Sequence, residues 1–174
     1  MAQVRGLKVM EIIRSASGGM KEHYITLVKG LKKKGFNVVA LCNFEGLVME
    51  ELQDAGIEVY RFSLPGEVQP LLDTMRVWKI VRIAHKHDVD VVHCHGFKAG
   101  VLGRMGALLI NRPKVYTMHN FILPMGTPIK KWTVQKLEQN LSRRTEEIIA
   151  VSHALKQDII NNCQLPPDRI QVIH

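Results

Sequence analysis

The sequence is poor in cysteine, has no long apolar run and carries too few acidic residues to balance its basic ones. Its three cysteines, Cys42, Cys94 and Cys163, are odd in number and stand at no ligand-like spacing, so a disulfide framework is not expected. No stretch approaches the roughly 18 apolar residues of a membrane span, and Met1 to Lys8 lacks the apolar core of a signal peptide. A cytoplasmic protein is therefore expected. Sixteen Asp and Glu stand against 24 Lys and Arg, a formal charge of +8. Such an excess attracts an anion, whether nucleic acid, phospholipid headgroup or phosphorylated substrate, or forms a solvated basic surface. Acids are also missing where particular functions need them. The second predicted strand ends in Cys42-Asn43, without the acidic residue that would take a nicotinamide cofactor's ribose, and this counts against such a cofactor. No acidic cluster stands at the strand ends to hold the magnesium of a regulatory receiver. There is no Gly-x-Gly-x-x-Gly and no Gly-Lys-Ser/Thr phosphate loop.

What is present is an alternation of strands and amphipathic helices, in a chain long enough for one domain with a substantial core, 46% apolar and 23% charged. Leu7 to Ile13 reads as a first strand. Arg14-Ser15-Ala16-Ser17-Gly18-Gly19 is a loop of small residues, after which Met20, Tyr24, Leu27, Val28 and Leu31 recur at helical spacing up to Gly35. Asn37 to Cys42 is the second strand, Glu45 to Ala55 a short helix and Ile57 to Phe62 the third strand. Leu64-Pro65-Gly66 breaks the chain before a long helix from Gln69 to His87, on which Leu72, Met75, Ile80 and Ile83 can face a sheet and Arg76, Lys79, Arg82 and Lys86 form a basic outer side. Val89 to Val92 is a buried strand leading into His93-Cys94-His95, and Gly96 to Gly106 is the helix after it. Lys114 to Met118, Glu147 to Val151 and Arg169 to Ile173 supply three further strands. Between them lie helices from Ile129 to Arg144 and from a capping Ser152 to Leu165. The expected fold is α/β, a Rossmann-like doubly wound parallel sheet of about seven strands with helices on both faces.

In such a sheet ligands bind beyond the strand carboxyl ends. That rim would gather Gly18-Gly19, His93 and His95 (on one side of their strand, Cys94 on the other) and Thr117-Met118-His119. A strand, glycine loop and helix start aim free amides and a positive dipole end at one point, which suits a phosphate; a merely structural Gly-Gly turn is the alternative. Three imidazoles could hold zinc with an open position, but no acidic or cysteine ligand joins them in sequence, so no metal is expected. Histidines that hydrogen-bond sugar hydroxyls or a phosphate fit better, with histidines that only satisfy backbone groups as the plain alternative.

The helix from Ile129 to Arg144 places Ile129, Trp132, Leu137 and Leu141 toward one side, while Lys130, Lys131, Lys136, Arg143 and Arg144 are opposed by Glu138 alone. With the apolar loop Phe121-Ile122-Leu123 before it, this segment could lie on an anionic membrane; packing on the core with a solvated basic side is the commoner arrangement.

Ser17-Gly18-Gly19 with its helix, Asp90-Val91-Val92-His93-Cys94-His95, Thr117-Met118-His119-Asn120, Val151-Ser152 with its helix and Ile170-Gln171-Val172-Ile173-His174 together resemble the amino-terminal half of family 4 glycosyltransferases, retaining enzymes of the two-domain GT-B architecture. The resemblance implies a nucleotide-sugar donor, a sugar or lipid-linked acceptor, front-side attack and no metal cofactor. It places Gly18 and Gly19 against the donor diphosphate, His119 at the donor sugar as the catalytic residue, and His95, Gly96 and Ser152 on the acceptor side, with His93 structural. An anionic membrane surface is an expected partner and nucleic acid is not. The family's carboxyl-terminal nucleotide-sugar domain is expected to be absent from residues 1–174, and the chain alone to be inactive. A flavodoxin-like binding module, or a nucleotide-sugar epimerase of the same architecture, is the alternative.

Overall fold

The computed structural model describes residues 6–120 and 127–173. Seven strands, β1 (Lys8–Ile13), β2 (Asn37–Cys42), β3 (Glu58–Arg61), β4 (Val91–His95), β5 (Lys114–Met118), β6 (Glu147–Ala150) and β7 (Ile170–Val172), alternate with six helices, α1 (Gly19–Lys33), α2 (Val48–Asp54), α3 (Pro70–His87), α4 (Phe97–Leu109), α5 (Pro128–Ser142) and α6 (His153–Cys163). The strands form one parallel sheet in the order β3-β2-β1-β4-β5-β6-β7, which is the doubly wound arrangement the alternation predicts.

Side chains of successive strand residues go to opposite faces, and two cores result. Met10, Ile12, Val92 and Cys94 join Ile80, Leu102, Tyr116 and Ile159 in the larger one, under α3, α4 and α6. Ile13, Val38 and Ala40 join Tyr24, Val28 and Leu52 in the smaller, under α1 and α2. Cys94 thus points away from His93 and His95, as strand alternation requires. Order reverses between β1 and β4: the chain leaves β1 toward β2 and returns to β4 on the other side. This switch point opens a crevice above the carboxyl ends of both strands.

The structure differs from the expectation in a few elements. The histidines lie inside β4 rather than beyond it, because the ladder to β1 continues to the pair Ile13 and His95. The second helix is shorter than Glu45 to Ala55, since Gly46 takes φ 69° ahead of it. On α3, Leu72 and Met75 do not face the sheet; they are exposed, and Asp73, Val77, Ile80 and Ala84 take the inward line. Asp73 can lie inward because Lys98 and Arg76 both donate to its carboxylate, so the amino-terminal turn is oriented by ion pairing and not by its leucines. On α5, Ile129 and Trp132 are exposed while Glu138 and Leu141 are buried. The apolar loop Phe121-Ile122-Leu123 lies outside the described residues.

Candidate active site at the sheet's switch point

Register builds the site. Glu11 of β1 is paired with His93 of β4, Ile13 with His95, and His95 with Thr117 of β5, so Glu11, His93, His95 and Thr117 share one face of three adjacent strands. The Glu11 carboxylate is fully buried and accepts from both imidazoles, from Nδ1 of His93 at 3.2 Å and Nε2 of His95 at 2.7 Å. Burial alone would raise its pKa; attraction and hydrogen bonds from His93 and His95 outweigh this and bring it down to about 2. An ionised carboxylate only accepts, so both facing nitrogens carry protons. Nε2 of His93 is hydrogen-bonded to the Thr117 hydroxyl at 2.8 Å.

The same logic runs outward. With Nε2 of His95 donating to Glu11, its Nδ1 is an acceptor, and Nε2 of His119 lies 3.3 Å from it. His119 therefore donates through Nε2 and keeps Nδ1 as an acceptor without a partner among the described residues. Burial and the neighbouring imidazoles hold His95 neutral, its pKa lowered to about 4, and His119 likewise, lowered to about 3. His23, on α1, completes the group with its ring 5.0 Å from that of His119, and burial lowers its pKa too. Tyr24 packs edge-on against His95, and its hydroxyl donates to the Glu11 carbonyl.

Gly18 stands before α1 with φ 61°, a left-handed conformation that favours glycine. No side chain caps this helix. A cavity of about 570 Å³ lies between the helix start and the imidazoles, lined by Arg14, Ser17, Gly19, Met20, His23, His119, Asn120 and Val151 among others. The structure therefore brings Gly19 and His119, both singled out from sequence, to one space. A smaller pocket of about 150 Å³ shares Arg14, Met20 and Asn120 with it and adds His95, Gly96, Phe97 and Lys98. His95 is itself fully buried, so it backs this wall and orients His119. Ser152 accepts from the Leu155 amide as the cap of α6, and Val151, not Ser152, lines the larger cavity.

Two functional candidates escaped sequence reasoning. The one signal for Glu11 is that it is a lone acid in the apolar run Val9 to Ile13, where a buried carboxylate needs partners, but nothing in the sequence says which. His23 follows Gly19 by four residues and so shares its helix face. His23, His95 and His119 bring one nitrogen each within 4.8 Å, as Glu11, His93 and His95 do with their ligand atoms. The first set could hold a divalent transition metal, with Glu11 behind His95 in the manner of an outer-shell carboxylate.

A parallel doubly wound sheet with a polar cavity at its switch point, a helix amino terminus on one side and neutral imidazoles on the other, defines a Rossmann-like ligand-binding domain. More specifically, the family model described as Glycosyltransferase Family 4 matches residues 17–174, and the chain belongs to that family as an amino-terminal half of the GT-B architecture. It is 26% identical over 145 residues to UDP-Gal:alpha-D-GlcNAc-diphosphoundecaprenol alpha-1,3-galactosyltransferase of Escherichia coli, covering 82% of this chain and 38% of that protein. Among solved structures, a glycosyltransferase from Rickettsia africae superposes with a TM-score of 0.82 at 20% identity, over 97% of this chain and 43% of that one. Alr3699/HepE of Anabaena, solved with UDP-glucose, does so at 0.72 and 23% identity, over 97% and 43%. The chain thus spans well under half the length of these proteins.

Proposed function

We propose that this chain is the acceptor-binding half of a retaining glycosyltransferase that moves a sugar from a nucleotide-sugar donor to an acceptor hydroxyl. The observation that carries the reading is the convergence of the uncapped start of α1 and the His119 side of the imidazole cluster on one cavity of about 570 Å³. The amides at Gly18 and Gly19 and the positive end of the α1 dipole take the donor diphosphate and stabilise it as it leaves. His119, held neutral, accepts from a hydroxyl of the donor sugar. His95, Gly96 and Ser152 belong to the acceptor side.

Retention by front-side attack is supported by the position of Glu11. This carboxylate is buried behind His95 and hydrogen-bonded on both oxygens, so it cannot reach a sugar carbon as a nucleophile. The imidazoles serve hydroxyls in this reading and no metal is needed, so exhaustive dialysis of the full-length protein against a chelator is expected to leave the rate unchanged, and a lost rate restored by a divalent metal would overturn this. The chain supplies one wall of the donor site and is inactive without a carboxyl-terminal nucleotide-sugar domain. Family membership favours the transferase over an epimerase or a binding module.

The relative from Escherichia coli is named for a lipid-linked acceptor. This supports a lipid-linked or cell-envelope acceptor here, with the enzyme in the cytoplasm at the inner face of a membrane and no nucleic-acid partner. No helix among the described residues is long and apolar enough to cross a membrane.

Gly19→Asp tests the diphosphate site. A Cβ at Gly19 would meet nothing within 4 Å, and an acid in the first turn favours the helix. In the full-length protein the variant should fold and raise KM for the nucleotide sugar by about tenfold or more through charge repulsion. An unchanged KM would remove Gly19 from the site, and product of inverted anomeric configuration would remove retention.

A further inference from the structure

We propose that the outer surface of α3, α4 and α5 is a docking face for an anionic lipid bilayer. These helices lie side by side on one face of the sheet, α4 packed between the other two. Twelve large apolar side chains are exposed among the described residues, and all but Leu7, Leu47 and Ile173 lie on these helices or two residues before α3. Both tryptophans of the chain are among them, Trp78 on α3 at 57% exposure and Trp132 on α5 at 59%. Leu71, Met75 and Trp78 fall at i, i+4 and i+7, a single line along α3. Met105 on α4 and Ile129 on α5 extend the apolar area.

Charge on the same surface has one sign. The three helices contain nine Lys and Arg but only two carboxylates, Asp73 and Glu138, and neither is available to solvent. Asp73 is buried under Lys98 and Arg76. Glu138 is fully buried, with both oxygens 2.8 Å from the Arg104 guanidinium. Lys79, Arg82, Lys86, Lys130, Lys131 and Lys136 are exposed. On the other face of the sheet, α1 and α2 together carry four cations and four carboxylates. The excess charge of the molecule is therefore gathered where its exposed tryptophans and leucines are.

This combination selects the occupant. Anionic headgroups neutralise the cations while tryptophan and aliphatic side chains enter the headgroup and acyl boundary. A second copy of this face would set six exposed cations against six, and a nucleic acid would leave Leu71, Met75 and Ile129 without a partner. Since α3 and α5 follow β3 and β5, their amino-terminal turns lie at the strand carboxyl rim, on the side of the pocket formed by Gly96, Phe97 and Lys98. A bilayer there would present a lipid-linked acceptor to that pocket, and this clause rests on the lipid-linked reading above.

The test is flotation of the full-length protein with vesicles of phosphatidylcholine, alone or with about 30% phosphatidylglycerol, at low and high salt. Binding is expected to anionic vesicles and to weaken with salt. The exposed pair Trp78→Ala/Trp132→Ala should reduce it by about tenfold or more, as should Arg82→Glu/Lys131→Glu. Lys33→Glu/Lys34→Glu, at the end of α1, makes the same charge change elsewhere and should alter binding less than about twofold. Equal binding to neutral and anionic vesicles, equal loss in the α1 control, or a dimer that Trp78→Ala/Trp132→Ala dissolves would overturn the proposal. Should the tryptophan pair lower the melting temperature, the charge-reversal pair decides. Flotation needs no sugar transfer, so its outcome is independent of the transferase reading.

Discussion

Glu11 determines what the imidazoles around it can do. Its ionised oxygens demand protons from His93 and His95, His95 must then accept from His119, and His119 is left with one acceptor nitrogen that has no partner among the described residues. Glu11→Gln keeps the shape but places an amide where two donors need acceptors. It should cost roughly 1–3 kcal/mol of stability, read as a lowered urea midpoint, together with a fall in sugar transfer by the full-length protein. An unchanged midpoint would mean the buried chain of hydrogen bonds is not formed.

The same residues give stability a definite pH dependence. Folded His95 and His119 take up protons near pH 4 and 3 instead of 6.5. The unfolded chain therefore binds more protons between these values, and their contribution is complete above about pH 6.5 and lost as pH falls toward 4. Glu11, lowered from 4.5 to about 2 against the opposing effect of its burial, adds stability that is complete above about pH 4.5 and is lost as pH falls through 2. Melting temperature should drop from pH 7 to pH 5, and less steeply in His119→Asn; parallel curves would contradict the assignment. His95, His119, Gly18 and Gly19 were visible from sequence because they stand at strand ends or turns. Glu11 was not, because its partners come from a strand eighty residues away and only the register brings them together.

Among the elements, α4 shows how close packing depends on single positions. A Cβ on Gly100 would lie 2.3 Å from the Tyr116 ring, and the Gly100 carbonyl accepts from Nε of Arg104, whose guanidinium covers that ring 4.0 Å from its centroid. Gly100→Ala should destabilise by about 1–3 kcal/mol through overpacking, measured by denaturant unfolding; a neutral effect would show that α4 can shift outward freely. Arg104→Met should cost about 3–5 kcal/mol by leaving Glu138 buried without its partner, and Glu138→Leu in the same chain should recover much of that loss. Element type and order were legible throughout, since strands and helices alternate with clear periodicity. The inward faces of α3 and α5 were not: apolar spacing nominated Leu72, Met75, Ile129 and Trp132, whereas buried ion pairs at Asp73 and Glu138 set how those helices lie. Their carboxylates turn inward to cations of α4, and the leucines and tryptophans are left outside.

At the scale of the whole molecule, the topology explains why loops from distant parts of the sequence act together. Reversal of strand order between β1 and β4 parts α1 from α4 and leaves the carboxyl ends of β1, β5 and β6 facing one open cavity, with that of β4 at the smaller pocket beside it. Doubly wound topology was foreseen from the alternation alone, and with it the rim. Two opposed consequences of composition were not separable in sequence: a solvated basic surface and one that is both basic and apolar look alike until the helices are placed side by side.

The central claim is that His119 touches the donor sugar during transfer, and initial rates at saturating nucleotide sugar for full-length wild type and His119→Ala test it most directly. A rate lowered by about a hundredfold or more, with a melting temperature close to wild type at pH 7, is the predicted result. Turnover within about threefold of wild type would contradict it and move the reacting sugar away from the imidazole cluster.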